Sequence, residues 1–192
     1  MDRKICAWAA NTYSDYINYH NEEWGVPIHE DKIHFEFLTL EGAQAGLSWR
    51  TILNKRGGYR EAFADFDVHH ISKFTSSYLE SLIKNPNIIR NRLKIASVVE
   101  NAKAFIQIQK EFGSFDTYVW NFVNYKPIHG AWHVKKETPP SQTKISFQLS
   151  NDLKKRGFKF VGSTIMYSFM QAIGMVNDHS PECYRYLQIK AF

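Results

Sequence analysis

The sequence predicts an all-α domain, and three observations carry that expectation. Apolar residues recur at helical spacing in one segment after another, and no stretch sustains the two-residue alternation of a half-buried strand. The one long interruption is a linker-like loop at about 126–144, where Pro127, Gly130, Pro139 and Pro140 stand among polar residues. With no other boundary, the 192 residues are expected to form a single domain spanning 1–192. A chain of that length buries about 70% of its unfolded surface and needs no disulfide to hold it together.

The elements follow in order. From Asp31 to Leu40, the residues Ile33, Phe35, Phe37, Leu38 and Leu40 fall around the whole circumference of a helix, which implies deep burial. After the break Ala45-Gly46-Leu47-Ser48 the pattern resumes over Trp49 to Leu53, with Ser48 as its cap. Helices are expected over Tyr59 to Phe66, Ser77 to Ile83 and Arg90 to Phe112. The last offers Leu93, Ile95, Ala96, Val99, Ala102, Ala104, Phe105 and Ile108 as an inward face. Phe115 to Val123, Ile145 to Lys155 and Ser163 to Ala172 complete the set.

Composition narrows the class. Hydrophobic residues at 44% and charged residues at 22% match ordinary folded proteins and argue against disorder. No apolar run approaches the ~18 residues of a membrane span, and no signal-peptide core follows Met1-Asp2-Arg3-Lys4, so a cytoplasmic monomer is expected. A net charge of +5 suits a partner carrying phosphates without requiring one.

Chemistry concentrates in three places. Only two cysteines occur, Cys6 and Cys183, at opposite ends of the chain. Cys6 is accompanied by His20, and Cys183 closes an H-x3-C pair with His179. Thiolate and imidazole are the ligands tetrahedral zinc prefers, and a Cys2His2 set leaves no open position. Such an ion would be structural, clipping the two termini together. Two small buried hydrophobes are the competing explanation on spacing alone.

The second place is a carboxylate among rings. Glu41 is flanked by Phe37, Leu38 and Leu40, while Trp8, Tyr13, Tyr16, Tyr19, Trp24 and Trp49 cluster nearby in sequence. A buried glutamate must be paired, hydrogen-bonded or neutralised, which makes it a site candidate. Aromatic faces beside it suit a planar or cationic ligand. An aromatic-rich core is the alternative.

The third is Lys154-Lys155-Arg156-Gly157-Phe158-Lys159-Phe160-Val161-Gly162-Ser163-Thr164, joining two helices. Gly157 suits a left-handed helix end, and Gly162 with Ser163 or Thr164 opens the next helix. Free amides there, with Lys154, Lys155, Arg156 and Lys159 supplying charge, form a helix-hairpin-helix pattern for gripping a phosphate backbone.

Taken together, the chain resembles the 3-methyladenine DNA glycosylase I family of the helix-hairpin-helix glycosylase superfamily. The likeness runs nearly end to end, through Glu23-Trp24-Gly25-Val26-Pro27, Leu40-Glu41-Gly42, Gln44-Ala45-Gly46-Leu47-Ser48-Trp49, Lys154 to Gly162, Tyr167-Ser168-Phe169-Met170-Gln171 and Val176-Asn177-Asp178-His179. The resemblance implies a helical glycosylase fold that excises 3-methyladenine from alkylated double-stranded DNA and releases the free base. It implies one structural Zn2+ on Cys6, His20, His179 and Cys183, and Glu41 as the catalytic pocket carboxylate. It places Trp8, Tyr16, Tyr19, Trp24 and Trp49 around the base, and Leu47 at the Gly46 turn in the gap left by the flipped nucleotide. Gly46, Leu47, Lys159, Gly162, Ser163 and Thr164 would then contact DNA. Superfamily members that also cut the backbone carry a lysine after the hairpin glycine. Ser163 and Thr164 stand there here, so a monofunctional enzyme is expected. Asp178, the acidic residue nearest the superfamily's catalytic position, is assigned to the metal region because it adjoins His179.

Overall fold

The structure is a computed structural model that describes residues 3–130 and 139–191. In chain order its helices are α1 (Ser14–Glu22), α2 (Asp31–Gln44), α3 (Trp49–Leu53), α4 (Arg56–Ala62), α5 (Val68–Ile71), α6 (Ser76–Leu82), α7 (Arg92–Phe112), α8 (Phe115–Asn121), α9 (Lys144–Lys155), α10 (Ser163–Ala172) and α11 (Tyr184–Lys190). A 3-10 turn covers Ala64–Phe66, and two short strands, β1 (Ile128–His129) and β2 (Val176–Asn177), complete the set.

The boundaries have local causes. Ser48 caps α3 by accepting from the Thr51 amide at 3.2 Å, and Asn91 and Ser114 cap α7 and α8 in the same way. Thr143 and Ser146 cap α9 reciprocally. The predicted helices over Trp49–Leu53 and Ser163–Ala172 match α3 and α10 residue for residue. Helix α2 runs further than expected, to Gln44, because the break comes only at a type II turn. There the Leu47 amide donates to the Gln44 carbonyl, Ala45 sits at φ −43°, ψ 113° and Gly46 at φ +77°. That third position favours glycine, because a side chain is strained at positive φ.

Helix α2 is the hub. Every residue from His34 to Ala43 is buried, as its all-round apolar pattern implied, and α3, α7, α8 and α10 pack against it. Arg56 ties α1 to α2, donating to Glu23 at 2.6 Å and to buried Glu36 at 2.7 Å. Helices α9 and α10 lie side by side, joined by the basic hairpin.

Several expectations need correction. Tyr59–Phe66 is not one helix: the backbone turns left-handed at Ala64, Asp65 and Phe66, which a continuous helix cannot do. Leu93, expected inward, is 70% exposed, because α7 begins at Arg92 and its first turn overhangs the core. The 126–144 loop is shorter than expected: Ile128 and His129 pair in parallel with Val176 and Asn177, and Lys144 already belongs to α9. Residues 131–138 of that loop lie outside the described residues. Helices α1, α5 and α11 were not anticipated. Among the described residues, no helix is long and apolar enough to cross a membrane.

Candidate active site and metal cluster

Helix α1 builds two sites at once. Tyr16, Tyr19 and His20 share one face at i, i+3, i+4, so the helix that delivers a possible metal ligand also delivers two rings to a cavity. The cavity holds about 570 Å³ and is walled by all five expected rings, Trp8, Tyr16, Tyr19, Trp24 and Trp49, together with Glu41. Trp8 meets Tyr16 and Trp24 edge-on at 5.3 and 4.9 Å, and Tyr19 lies 5.4 Å from Trp49.

Glu41 is 4% exposed. No hydrogen bond from any described residue reaches its carboxyl, and burial alone pushes its pKa up to about 8. An ionised Glu41, the state that would favour a cation, is therefore not the resting state at neutral pH: the carboxyl is mostly protonated until a ligand compensates it. Burial, reinforced by the Glu41 charge, also raises the Tyr16 and Tyr19 hydroxyls.

Behind the rings, Cys6, His20, His179 and Cys183 are all buried, with ligand atoms within 4.8 Å of one another. Cys6 Sγ lies 3.5 Å from His179 Nδ1, and Cys183 Sγ lies 3.6 Å from both His179 Nδ1 and His20 Nε2. Tetrahedral zinc with bonds of about 2.3 Å to sulfur and about 2.0 Å to nitrogen separates such ligands by about 3.5 Å. The remaining ring nitrogens are held: His20 Nδ1 donates to Asn21 Oδ1 and His179 Nε2 to the Trp24 carbonyl, each at 2.9 Å. Both lone pairs thus face the sulfurs, as metal-binding histidines require. The hydrogen bond from Cys6 holds the Cys183 thiol far below its ordinary range, and Cys6 is pushed up in return. The buried group fits a metal ion.

A second cleft of about 240 Å³ opens beside the first and shares Glu41, Gln44 and Ser168 with it. Gly46, Leu47 and Thr164 line it, so the α2 turn and the start of α10 face each other across it. Leu47 is 42% exposed at the tip of its turn. In the hairpin Gly157 takes φ +94°, as expected. Gly162 precedes α10, and among the described residues no side chain caps the first amides of that helix, although the Ser163 hydroxyl donates to Gln142. Lys159 is exposed. Arg156 does not supply free charge: it is committed to Glu111 at 2.6 Å and Asp152 at 2.7 Å and lies over the Phe112 and Tyr118 rings.

The model of the family described as methyladenine glycosylase matches residues 8–186. The chain belongs to that family. It is 46% identical over 178 residues to DNA-3-methyladenine glycosylase 1 of Escherichia coli, covering 93% of this chain and 94% of that protein. It is 44% identical over 178 residues to the DNA-3-methyladenine glycosylase of Haemophilus influenzae, covering 93% and 95%. Its fold superposes on a variant of 3-methyladenine DNA glycosylase I in complex with 3-methyladenine, at TM-score 0.87 and 35% identity over 93% of this chain and 95% of that one.

The methyladenine glycosylase pocket contains residues that sequence reasoning did not single out. Gln44 stands one helical turn beyond Glu41, and Ser168 and Gln171 are likewise a turn apart on α10; all three line the cavity. Helical spacing from Glu41 was a usable signal for Gln44. Asp178 was assigned to the metal region, yet it lines the same cavity. Its carboxylate accepts from the Tyr167 hydroxyl at 2.5 Å and from Gln171 Nε2 at 2.8 Å. The parallel β1–β2 pair fixes the backbone just before it.

Proposed function

We propose that this chain is a monofunctional glycosylase that flips 3-methyladenine out of alkylated duplex DNA and hydrolyses its bond to the sugar. One observation carries the reading: a buried carboxyl that accepts no hydrogen bond from the described residues lines an aromatic-walled cavity large enough for a purine. The family membership and the named activities of its relatives support it.

The target atoms are inaccessible in a stacked duplex, so the nucleotide must swing into the pocket. Leu47 fills the space it leaves, while Lys159 and the open amides after Gly162 hold the backbone. Methylation at N3 makes the base in DNA cationic. Glu41 gives up its proton as the cation enters, and the resulting ion pair favours the lesion over neutral adenine. Stacking on the rings adds about 1–3 kcal/mol, as in proteins that bind single strands. Water forms the new bond at the sugar carbon, the electron pair of the broken C–N bond neutralises the base, and one proton is released. The cationic leaving group lessens the need for acid catalysis. Cys6, His20, His179 and Cys183 would hold a structural Zn2+, which would clip the two ends of the chain together.

Release of free 3-methyladenine from methylated duplex DNA tests the proposal. Retention of the base in a stable complex would instead mark a lesion-binding module. Action on free nucleosides in place of DNA would mark a nucleoside hydrolase, which the basic hairpin argues against.

A further inference from the structure

Helix α7 lines neither the aromatic cavity nor the cleft beside it, yet it reaches both DNA-facing loops. Lys94 Nζ donates to the carbonyls of Ala43 at 2.8 Å, in the last turn of α2, and Ala45 at 2.6 Å, in the turn that carries Leu47. Seven residues on, buried Asn101 grips the hairpin backbone twice: its Oδ1 accepts from the Lys159 amide at 2.8 Å, and its Nδ2 donates to the Lys159 carbonyl at 3.1 Å. Seven residues are close to two helical turns, so both side chains leave the same face of α7. Between them the hairpin touches α2 directly: a Cβ at Gly42 would lie 3.3 Å from Phe160 Cβ. Phe160 itself sits at φ +56°, a conformation that persists only where neighbours over-determine it. Asn101 on one side and Ser150, whose hydroxyl donates to the Val161 carbonyl at 2.6 Å, on the other provide that constraint.

We infer that Lys94 and Asn101 are positioning residues for base extraction, one face of α7 fixing the Leu47 turn and the Gly157–Gly162 hairpin in a single register. The inference rests on the proposed function, in which Leu47 enters the duplex and the hairpin holds its backbone. The aromatic cavity is lined from α1, α2, α3 and α10 and by Trp8, Trp24 and Asp178 outside them, and α7 contributes no side chain to it. A loosened register therefore weakens flipping from DNA and leaves binding of the free base intact.

A double-mutant cycle decides it. Single-turnover release of 3-methyladenine from methylated duplex is measured for wild type, Lys94→Met, Lys94→Arg, Leu47→Ala and the Lys94→Met/Leu47→Ala pair. Titration with free 3-methyladenine and a thermal melt are run on each. Lys94→Met is expected to slow release at saturating enzyme by about tenfold or more, and Lys94→Arg, which keeps a charged donor, recovers most of it. In the Leu47→Ala background Lys94→Met has little further effect, because the turn it holds no longer carries a wedge. Free-base affinity stays within about twofold throughout. Asn101→Ala raises KM for DNA more than it lowers kcat, since it loosens the grip. Losses that multiply in the double variant, a Lys94→Met protein as fast as wild type, or folded variants with weakened free-base binding would each overturn the inference. Wild-type protein that releases no base would overturn the proposed function itself. Normal release by Leu47→Ala would remove the wedge and the positioning role with it.

Discussion

Trp24 and His179 are joined twice. The Trp24 carbonyl accepts a hydrogen bond from His179 Nε2 at 2.9 Å, and the two rings meet edge-on with centroids 4.6 Å apart. One residue walls the aromatic cavity and the other belongs to the buried Cys/His group, so that group sets the position of a pocket wall.

Removing the proposed zinc should therefore disturb recognition as well as stability. One zinc per chain is expected by metal analysis. Cys183→Ala should cost about 3 kcal/mol, a fall in melting temperature of about 6–12 °C. Trp24 fluorescence should change with chelation, and free-base affinity should fall alongside. A zinc-free protein with unchanged melting would contradict this.

Glu41 makes stability and recognition respond oppositely to pH. Its folded pKa of about 8 lies above the ordinary 4.5, so the folded state holds the proton more tightly than the unfolded chain. Stability is fullest below about pH 4.5 and declines as pH rises toward 8, by at most about 5 kcal/mol. Glu41→Gln should thus be more stable than wild type at pH 8, with the advantage vanishing near pH 4.5. Urea denaturation at both values measures it.

Lesion binding should show the reverse trend. If binding requires the ionised carboxylate, affinity for methylated DNA rises with pH by close to tenfold per unit up to about pH 8 and then levels. Glu41→Gln should flatten that profile. It should also lose far more affinity for the cationic lesion than for duplex carrying neutral 3-deaza-3-methyladenine, by about ten- to a hundredfold. Equal losses would mean that Glu41 reads shape alone.

Two neighbouring cations in the hairpin should behave differently. Lys159→Ala is expected to weaken DNA binding uniformly across sequences and reduce the salt slope by about one. Arg156→Ala should leave that slope unchanged and lower thermal stability, because it removes the guanidinium from Glu111, leaves Asp152 to the Tyr118 hydroxyl and uncovers Phe112 and Tyr118.

Tyr167→Phe removes the hydroxyl that donates to Asp178 at 2.5 Å while the Gln171 amide remains at 2.8 Å. A hydrogen bond to a buried carboxylate contributes about 1.5–3 kcal/mol, which denaturation should recover as lost stability. Release of the base should slow if the Asp178 wall shifts with it.

The sequence by itself determined the helical class, the limits of α3 and α10 and the burial of α2, while the five rings around Glu41 came from the family resemblance; Tyr13, grouped with them on sequence, is 57% exposed and lies outside the cavity. Those features are written in local periodicity and in caps such as Ser48. It also brought Cys6, His20, His179 and Cys183 forward as one candidate group, which the family resemblance then singled out among eight histidines. Helix α1 escaped because its polar face and repeated tyrosines hid a Tyr16-Tyr19-His20 spacing that only packing makes meaningful. The tertiary structure alone decided which charges are free. Arg156 is neutralised by Glu111, a residue 45 positions away, and Asp178 is turned into the cavity by a strand pair spanning 48 positions. It alone decided the protonation of Glu41, because desolvation depends on every neighbour that excludes water rather than on any residue beside it in the chain.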